Sequence, residues 1–581
     1  MWTQSTDPLH SLGFSAGAAL VPIVLLFILL LSRKVAGHIA TLITLAVGLI
    51  VAMTVYLMPP ALAGLSALYG IADGLFPIGW IVLNAVFLYN ISVRSGGFAI
   101  VRDSIESITA DRRLQALFIA FSFGAFLEGA AGFGAPVAIT AGMLVGLGFE
   151  AFYAAGICLI ANTAPVAFGG IGIAVITAGH LSHIDPAVLS TMIAHQLPVI
   201  ALILPLWLVV IVAGWRSAWE VWPAILTAGV SYAVTMFLTA SYIGPTLPDV
   251  LSATVSIICL FLLLRIWRPP HIWRFPGERP ASAANGIKPA HSPSQLIRAW
   301  TPFVLLVIFV SNWGNQGIQA ILNKTTLTIP FGPLDGGIMS NGLRLSVQYS
   351  CAWLGAAGTA ILLAAVLSGV LLRLPLKVFL ETALQTLREL WKPLVTIGSI
   401  VGFAFVANFS GMSVAIGNAL TMTGRFFPLL SPLLGWFGVF ITGSDTSSNA
   451  LFSSIQSQTA SSIGVSPVLT VAANSSGGVA AKMISPQSVA VATAATGQTG
   501  EEGRLFRFTI LHSLGLVAII CLITFAQAYD LPWMIPAAVS AAAAAGNSLD
   551  IGGSILIVVS ALAVLFLAFA GRRRAYDILG A

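Results

Sequence analysis

Apolar residues run through this chain in long unbroken blocks, separated by short polar or basic breaks. An α-helix needs about 20 apolar residues to cross a hydrocarbon core. Blocks near that length fall at 14–32, 36–58, 76–94, 152–179, 198–214, 220–240, 247–266, 297–313, 350–372, 393–412, 466–497, 506–527 and 552–570. Polar and apolar residues do not alternate within them, so helices are predicted and not a barrel. Two further stretches, 98–115 and 375–392, mix Leu, Ile or Phe with charged residues at helical spacing. Each predicts an amphipathic helix lying flat on the cytoplasmic surface. The segment 533–546 is too short to span.

Two apolar runs, 114–149 and 427–462, do not fit as spans. Each has about 36 residues, roughly 54 Å of helix, whereas two crossings and a turn need about 60 Å or more. Each carries a polar cluster at its middle: Glu128, Gly129, Gly132, Gly134 and Pro136 in one, Gly443, Ser444, Asp445, Thr446 and Ser447 in the other. A re-entrant helical hairpin with glycines and Pro136 at its tip fits both facts. A pair of tilted, tightly packed helices is the plainer alternative.

The segments that follow match weakly. Asn162-Thr163-Ala164-Pro165 and then Gly169-Gly170 succeed the first cluster; Asn474-Ser475-Ser476-Gly477-Gly478 succeed the second. Each half thus reads as amphipathic helix, acidic hairpin and a helix interrupted at Asn-Ser/Thr. Threaded from an external N-terminus, the first hairpin enters from the cytoplasm and the second from outside. That is the inverted repeat of secondary transporters, whose broken helices meet near the midplane. The expected fold is therefore an all-α polytopic membrane protein with about 12–13 transmembrane helices plus two re-entrant hairpins. Its halves, 1–267 and 297–581, are joined by a Pro-, Arg- and Ser-rich cytoplasmic linker over 268–296.

Composition supports the membrane reading. Of 581 residues, 57% are hydrophobic and 8% charged, against about 25% charged in soluble domains. The net charge of +6 is no nucleic-acid signal, because the basic residues cluster between apolar runs, at Arg33-Lys34, Arg112-Arg113, 265–298 and Arg572-Arg573-Arg574. That is the positive-inside pattern of cytoplasmic loops. The first apolar run lacks a basic segment before it and reads as an uncleaved helix. Cys158, Cys259, Cys351 and Cys521 lie in apolar runs without paired spacing, so neither disulfides nor a metal site is expected.

Glu128 and Asp445 are the sharpest chemical candidates. A carboxylate at a helix centre costs about 2.5–3.5 kcal/mol even on a mild scale, and such acids commonly bind or relay ions. Both are read as proton-coupling groups; a structural acid at a hairpin tip is the alternative. Lys482 is the best cation within an apolar helix, either for a substrate carboxylate or as a snorkelling lysine. Asn162, Thr163, Asn474, Ser475 and Ser476 stand where helices are expected to break, alongside the Ser444, Thr446 and Ser447 cluster. Freed N–H groups there favour an anion, freed carbonyls a sodium ion; polar contacts between helices are the bland reading. His180, His183 and His195 are weaker, and Asp73 is held in reserve. No phosphate loop, nucleophilic elbow or zinc motif is present.

Several motifs resemble the bacterial L-lactate permease family: Gly124-Ala125-Phe126-Leu127-Glu128-Gly129-Ala130-Ala131-Gly132-Phe133-Gly134-Ala135-Pro136, Ala161-Asn162-Thr163-Ala164-Pro165, 443–452, 474–490 and Pro77-Ile78-Gly79-Trp80. The resemblance runs from about residue 15 to the C-terminus. It departs at Ala135, where the family pattern is expected to carry threonine. It implies symport of lactate, and of glycolate or other small 2-hydroxy monocarboxylates, with a proton across the bacterial inner membrane. It also implies kinship with the ion-transporter superfamily and its elevator-like movement. The implied partners are that substrate, a proton and the lipid bilayer; no cofactor, metal or nucleic acid is expected, and a homodimer stays open. A sodium-coupled carboxylate or dicarboxylate carrier is the alternative function. A membrane enzyme or sensor is disfavoured by the paired inverted motifs and the lack of a sizeable soluble domain.

Overall fold

The computed structural model describes residues 1–536 except 32–34, 107, 131, 133–134, 276–290, 314–315 and 341–342. Expectations for Arg33, Lys34, Gly134, the middle of the linker, the 552–570 span and Arg572 to Arg574 lie outside the described residues.

Among the described residues, ten helices are long and apolar enough to cross a membrane: Leu12–Leu30, Gly37–Thr54, Pro60–Arg94, Leu197–Glu220, Trp222–Tyr242, Pro248–Ile266, Ser294–Trp313, Leu376–Ser410, Met412–Thr442 and Glu502–Tyr529. The pair Ala151–Ala161 and Val166–Ser182, bent by 67°, makes an eleventh if taken as one span. The chain is therefore a multi-pass helical membrane protein, with ten or eleven spans among the described residues against the 12–13 expected of the whole chain. The predicted span 350–372 holds only the 15-residue helix Ala357–Leu371, because Gln348–Cys351 pairs antiparallel with Leu327–Pro330. The block 466–497 divides into Pro467–Ala481 and Pro486–Ala495.

Short strands also qualify the all-α expectation. Besides that hairpin, Trp2–Thr3 pairs with Ile338–Met339, so the N-terminus is tied to the polar region between two spans. The stretch 375–392 corrects a second expectation. It is not a separate flat helix but the first half of the 35-residue helix Leu376–Ser410. Its polar face is satisfied by a neighbouring helix: Asn90 donates to Thr386 Oγ1 at 2.9 Å and to Glu389 at 3.2 Å. The other amphipathic stretch does form a short helix, Gly97–Glu106.

Both acidic runs fold as helical hairpins. In the first, helical backbone runs from Arg112 to Ala130, turns, and returns through Ala135–Gly146. That return limb has 12 residues, roughly 18 Å, too short for a hydrocarbon core of about 30 Å. In the second, Phe427–Thr442 ends on left-handed Gly443 (φ 70°), and Asp445–Ile463 begins after Ser444. Ser444 Oγ accepts from the Ser447 N–H at 3.2 Å, the usual way to satisfy an N-terminal amide. The limbs are antiparallel: Ser448 Oγ donates to the Gly435 carbonyl and Gln456 Nε2 to that of Ser431.

Two apolar cores result. One gathers the first hairpin, the 151–260 helices, the second half-repeat over 467–495 and the helix Glu502–Tyr529. The other gathers the helices of 12–94 with most of those of 306–416 and with Ala450, Leu451, Phe452 and Ile455 of the second hairpin's return limb. Each core thus draws on both halves of the sequence.

Candidate functional site

Glu128 lies in the last turn of Gly124–Ala130 and is 4% exposed. The chain after the hairpin folds back upon it. The helix Ala151–Ala161 stops at Asn162, Pro165 has no N–H to continue it, and Gly170, Ile171 and Gly172 are left-handed (φ 54°, 61° and 71°). A buried β-branched residue at positive φ stores about 1–3 kcal/mol of strain, so Ile171 marks a backbone bent under constraint. Gly172 is required, because a Cβ there would overlap the Pro245 carbonyl. This bend lays Gly169 against Glu128, where an added Cβ would stand 3.0 Å from Oε1. Asn162 lies beside the same carboxyl.

Asp445 opens the return limb of the second hairpin, also 4% exposed. Ser475 Oγ donates to its Oδ2 at 2.5 Å. A network extends from it: Asn449 Nδ2 donates to Ser475 Oγ at 3.2 Å and to the Ala174 carbonyl at 3.0 Å. Asn474 Nδ2 donates to Asn449 Oδ1 at 2.8 Å, and Gln456 Nε2 to Asn474 Oδ1 at 3.2 Å. The Asn449–Ala174 bond joins the second hairpin to the broken helix of the first half.

Lys482 lies between the two systems. It is 8% exposed, its Nζ donates to the Gly443 carbonyl at 2.7 Å, and its charge reaches both Glu128 and Asp445. The ammonium is thus bonded at the second hairpin's tip and largely covered by protein.

Around this convergence, buried polar atoms lack partners: Glu128 Oε2, both side-chain ends of Asn162, Thr163 Oγ1, Asp445 Oδ1 and Ser476 Oγ. Unpartnered buried polar groups cost about 1–3 kcal/mol each. A small polyfunctional ligand would satisfy several at once.

One predicted break is misplaced. The helix Pro467–Ala481 runs unbroken through Asn474, Ser475 and Ser476. Their side chains bond across to the hairpin, Ser476 excepted, and leave the helix backbone undisturbed. The break falls instead at Lys482–Ser485, where Ser485 is extended before Pro486 and caps the next helix through the Ser488 N–H. Ser444 serves as a cap, Ser447 is buried and Thr446 half-buried. Gly129, Gly132 and Pro136 fall between or at the facing ends of the first hairpin's limbs, with Gly132 left-handed (φ 59°).

His180, the weak candidate, meets Asp73, the reserve one, at 3.4 Å. Asp249 and Tyr232 were missed. Asp249 follows Pro248 at the start of Pro248–Ile266, where an acidic residue reads as an ordinary helix-start charge. It is in fact 1% exposed and accepts from Tyr232 Oη at 3.2 Å.

The sequence model described as L-lactate permease matches residues 15–531. An L-lactate permease of Bacillus subtilis (strain 168) is 50% identical over 561 residues, 92% of this chain and 100% of that protein. An L-lactate permease of Escherichia coli (strain K12) is 47% identical, again over 92% of this chain and 100% of its own length. Glycolate permease GlcA of the same strain is 46% identical over 92% of this chain and 99% of that protein.

Proposed function

The chain belongs to the L-lactate permease family, and from that premise we propose that it imports L-lactate, with D-lactate or glycolate as further substrates, together with a proton across the bacterial inner membrane. The observation that carries this reading is the cluster of unpartnered buried polar atoms gathered about Lys482 and two acids. Lys482 offers a cation to the substrate carboxylate. Asn162, Thr163 and Ser476 offer donors and acceptors to the 2-hydroxyl, and Asn474, Ser475 and Asn449 hold the wall in place. Glu128 or Asp445 takes up the proton. A monoanion moving with one proton is electroneutral, so the pH gradient drives entry. The two inverted halves cooperate in an elevator-like movement that carries the hairpins past the remaining helices.

Counterflow of labelled L-lactate, D-lactate and glycolate in proteoliposomes tests the substrate, and repetition with and without sodium tests the ion. Exchange of lactate, dependent on pH and indifferent to sodium, is the expected result. A sodium requirement moves the protein to the alternative coupling, for which Asn162 Oδ1 and Thr163 Oγ1 are available ligands. In the same vesicles, Glu128→Gln is expected to abolish lactate-driven proton uptake. Unchanged proton flux removes Glu128 from the mechanism.

A further inference from the structure

Beyond the acids already assigned, the structure buries Asp249, which, unlike buried Asp73 and Asp111, has no basic side chain bonded to it among the described residues. We propose that Asp249, held by Tyr232, pairs with Glu128 as a carboxylate dyad that carries the coupling proton. This rests on the proton-symport reading above and adds two residues to it.

The geometry brings Asp249 against the residue next to Glu128. Gly129, the neighbour of Glu128, packs directly on Asp249: a Cβ at Gly129 would stand 2.6 Å from the Asp249 Cβ and 3.0 Å from the Val250 nitrogen. Any side chain larger than glycine would part the hairpin from this helix. Asp249 Oδ1 accepts from Tyr232 Oη at 3.2 Å, while Asp249 Oδ2 has no partner. Glu128 Oε2 has none either. Two deeply buried carboxyl oxygens are thus left open on acids whose helices meet at Gly129.

Charge balance makes the pair a proton site. Among the described residues, the buried Lys and Arg side chains are Arg113 and Lys482. Arg113 is engaged by Asp111 and Glu220, each at 2.7 Å. Lys482 alone faces Glu128 and Asp445, and an ionised Asp249 would add a third negative charge to this region. An uncompensated charge in such surroundings costs several kcal/mol, and adjoining carboxylates relieve it by sharing a proton.

The elements packed on Asp249 bring no cation. The helix Trp222–Tyr242 presents Tyr232, and the hairpin limb presents Glu128. The π-helical turn Ala116–Phe123 presents only Ser122, bonded to Ser256. On Gly169–Ser182 the titratable group is His180, paired with Asp73. Arg265 sits in the last turn of Asp249's own helix, which Asp249 begins. During transport, a proton from the outer water bonds to an oxygen of the dyad as the substrate anion binds near Lys482. On the inner side that O–H bond breaks and proton and anion leave together, so no net charge crosses.

The test compares proton-gradient-driven lactate uptake with lactate counterflow in the same proteoliposomes. For Asp249→Asn, the ratio of driven uptake to counterflow is expected to fall by about tenfold or more, the worth of one pKa unit or above. A ratio equal to that of the unaltered protein overturns the proposal. Tyr232→Phe decides the case if Asp249→Asn is inactive in both assays. Losing a hydrogen bond to a carboxylate disfavours proton release, so the pH midpoint of driven uptake should rise by about one unit. An unmoved midpoint overturns the dyad, as does a midpoint set by sodium instead of pH. Absence of lactate counterflow in the unaltered protein defeats the transport reading itself and is thereby distinguished from failure of the dyad.

Discussion

Lys482 illustrates how much one side chain decides. A lysine in an apolar helix commonly escapes toward the interface, but this one is held by the Gly443 carbonyl at 2.7 Å while facing two acids. It braces the second hairpin and, in the proposed function, supplies the positive charge for an anion. Lys482→Ala is therefore expected to weaken the fold by about 1.5–3 kcal/mol, the worth of a hydrogen bond to a charged group. It should also raise the half-saturating lactate concentration by about tenfold or more, equivalent to roughly 1.4 kcal/mol of binding. Thermal unfolding and the concentration dependence of counterflow read the two effects separately. A lowered Tm with unmoved half-saturation makes Lys482 a strut alone. At this scale the sequence was legible where a charge sits inside an apolar run, as with Glu128, Asp445 and Lys482. It was illegible where a charge sits at the mouth of a run. Asp249 carries the pattern of a solvated helix start, and only the packing of Gly129 upon it reveals its burial.

Elements that pack this tightly depend on small residues. On the second hairpin, a Cβ at Gly435 would overlap the Asn474 carbonyl oxygen. Gly435→Ala must push the limb Phe427–Thr442 off Pro467–Ala481 and disturb the Asn474–Asn449–Ser475 network. The expected cost is about 1–3 kcal/mol, as for other overpacked interiors, with transport lost in parallel. Gly503→Ala is the control, since nothing stands within 4 Å of its Cβ and it lies in a helix. It should leave Tm unchanged or slightly raised. A Tm for Gly435→Ala equal to that control would mean the limb is free to shift. Helix existence and the two hairpins followed from run length against bilayer thickness, so they were readable. Helix interruption was not, because Asn-Ser/Thr has two outcomes. Asn162-Thr163 is followed at once by Pro165 and the backbone turns; Asn474-Ser475 has no proline until Pro486 and the helix continues. The β-pairing of 327–351 was hidden for another reason: short, glycine-flanked strands lack the run length that periodicity requires.

At the scale of the molecule, the two apolar cores do not follow the two halves of the chain. The 12–94 helices and most of those of 306–416 share one core with the return limb of the second hairpin, while the first hairpin and the opening limb of the second pack in the other. The elevator-like movement proposed above needs such a division, with parts of each half in each unit. The border between the units can be tested at Asn408 and Ser454. Asn408, near the end of Leu376–Ser410, donates from Nδ2 to Ser454 Oγ on the second hairpin at 2.8 Å. If the hairpin unit slides past the other helices, this pair must separate in each cycle. Replacing both residues by cysteine and joining them with a short thiol-reactive linker should arrest counterflow, and cleaving the linker should restore it. The chain's own thiols, Cys158, Cys259, Cys351 and Cys521, are first replaced so that only the introduced pair reacts. A second crosslink within one unit supplies the comparison. Asn449 bonds the Ala174 carbonyl at 3.0 Å, and joining these positions should leave a rigid-body movement intact. Arrest by the first pair alone supports sliding of one unit against the other. Full transport with Asn408 and Ser454 joined excludes it, because both cores would then hold one fixed relation while lactate still crosses.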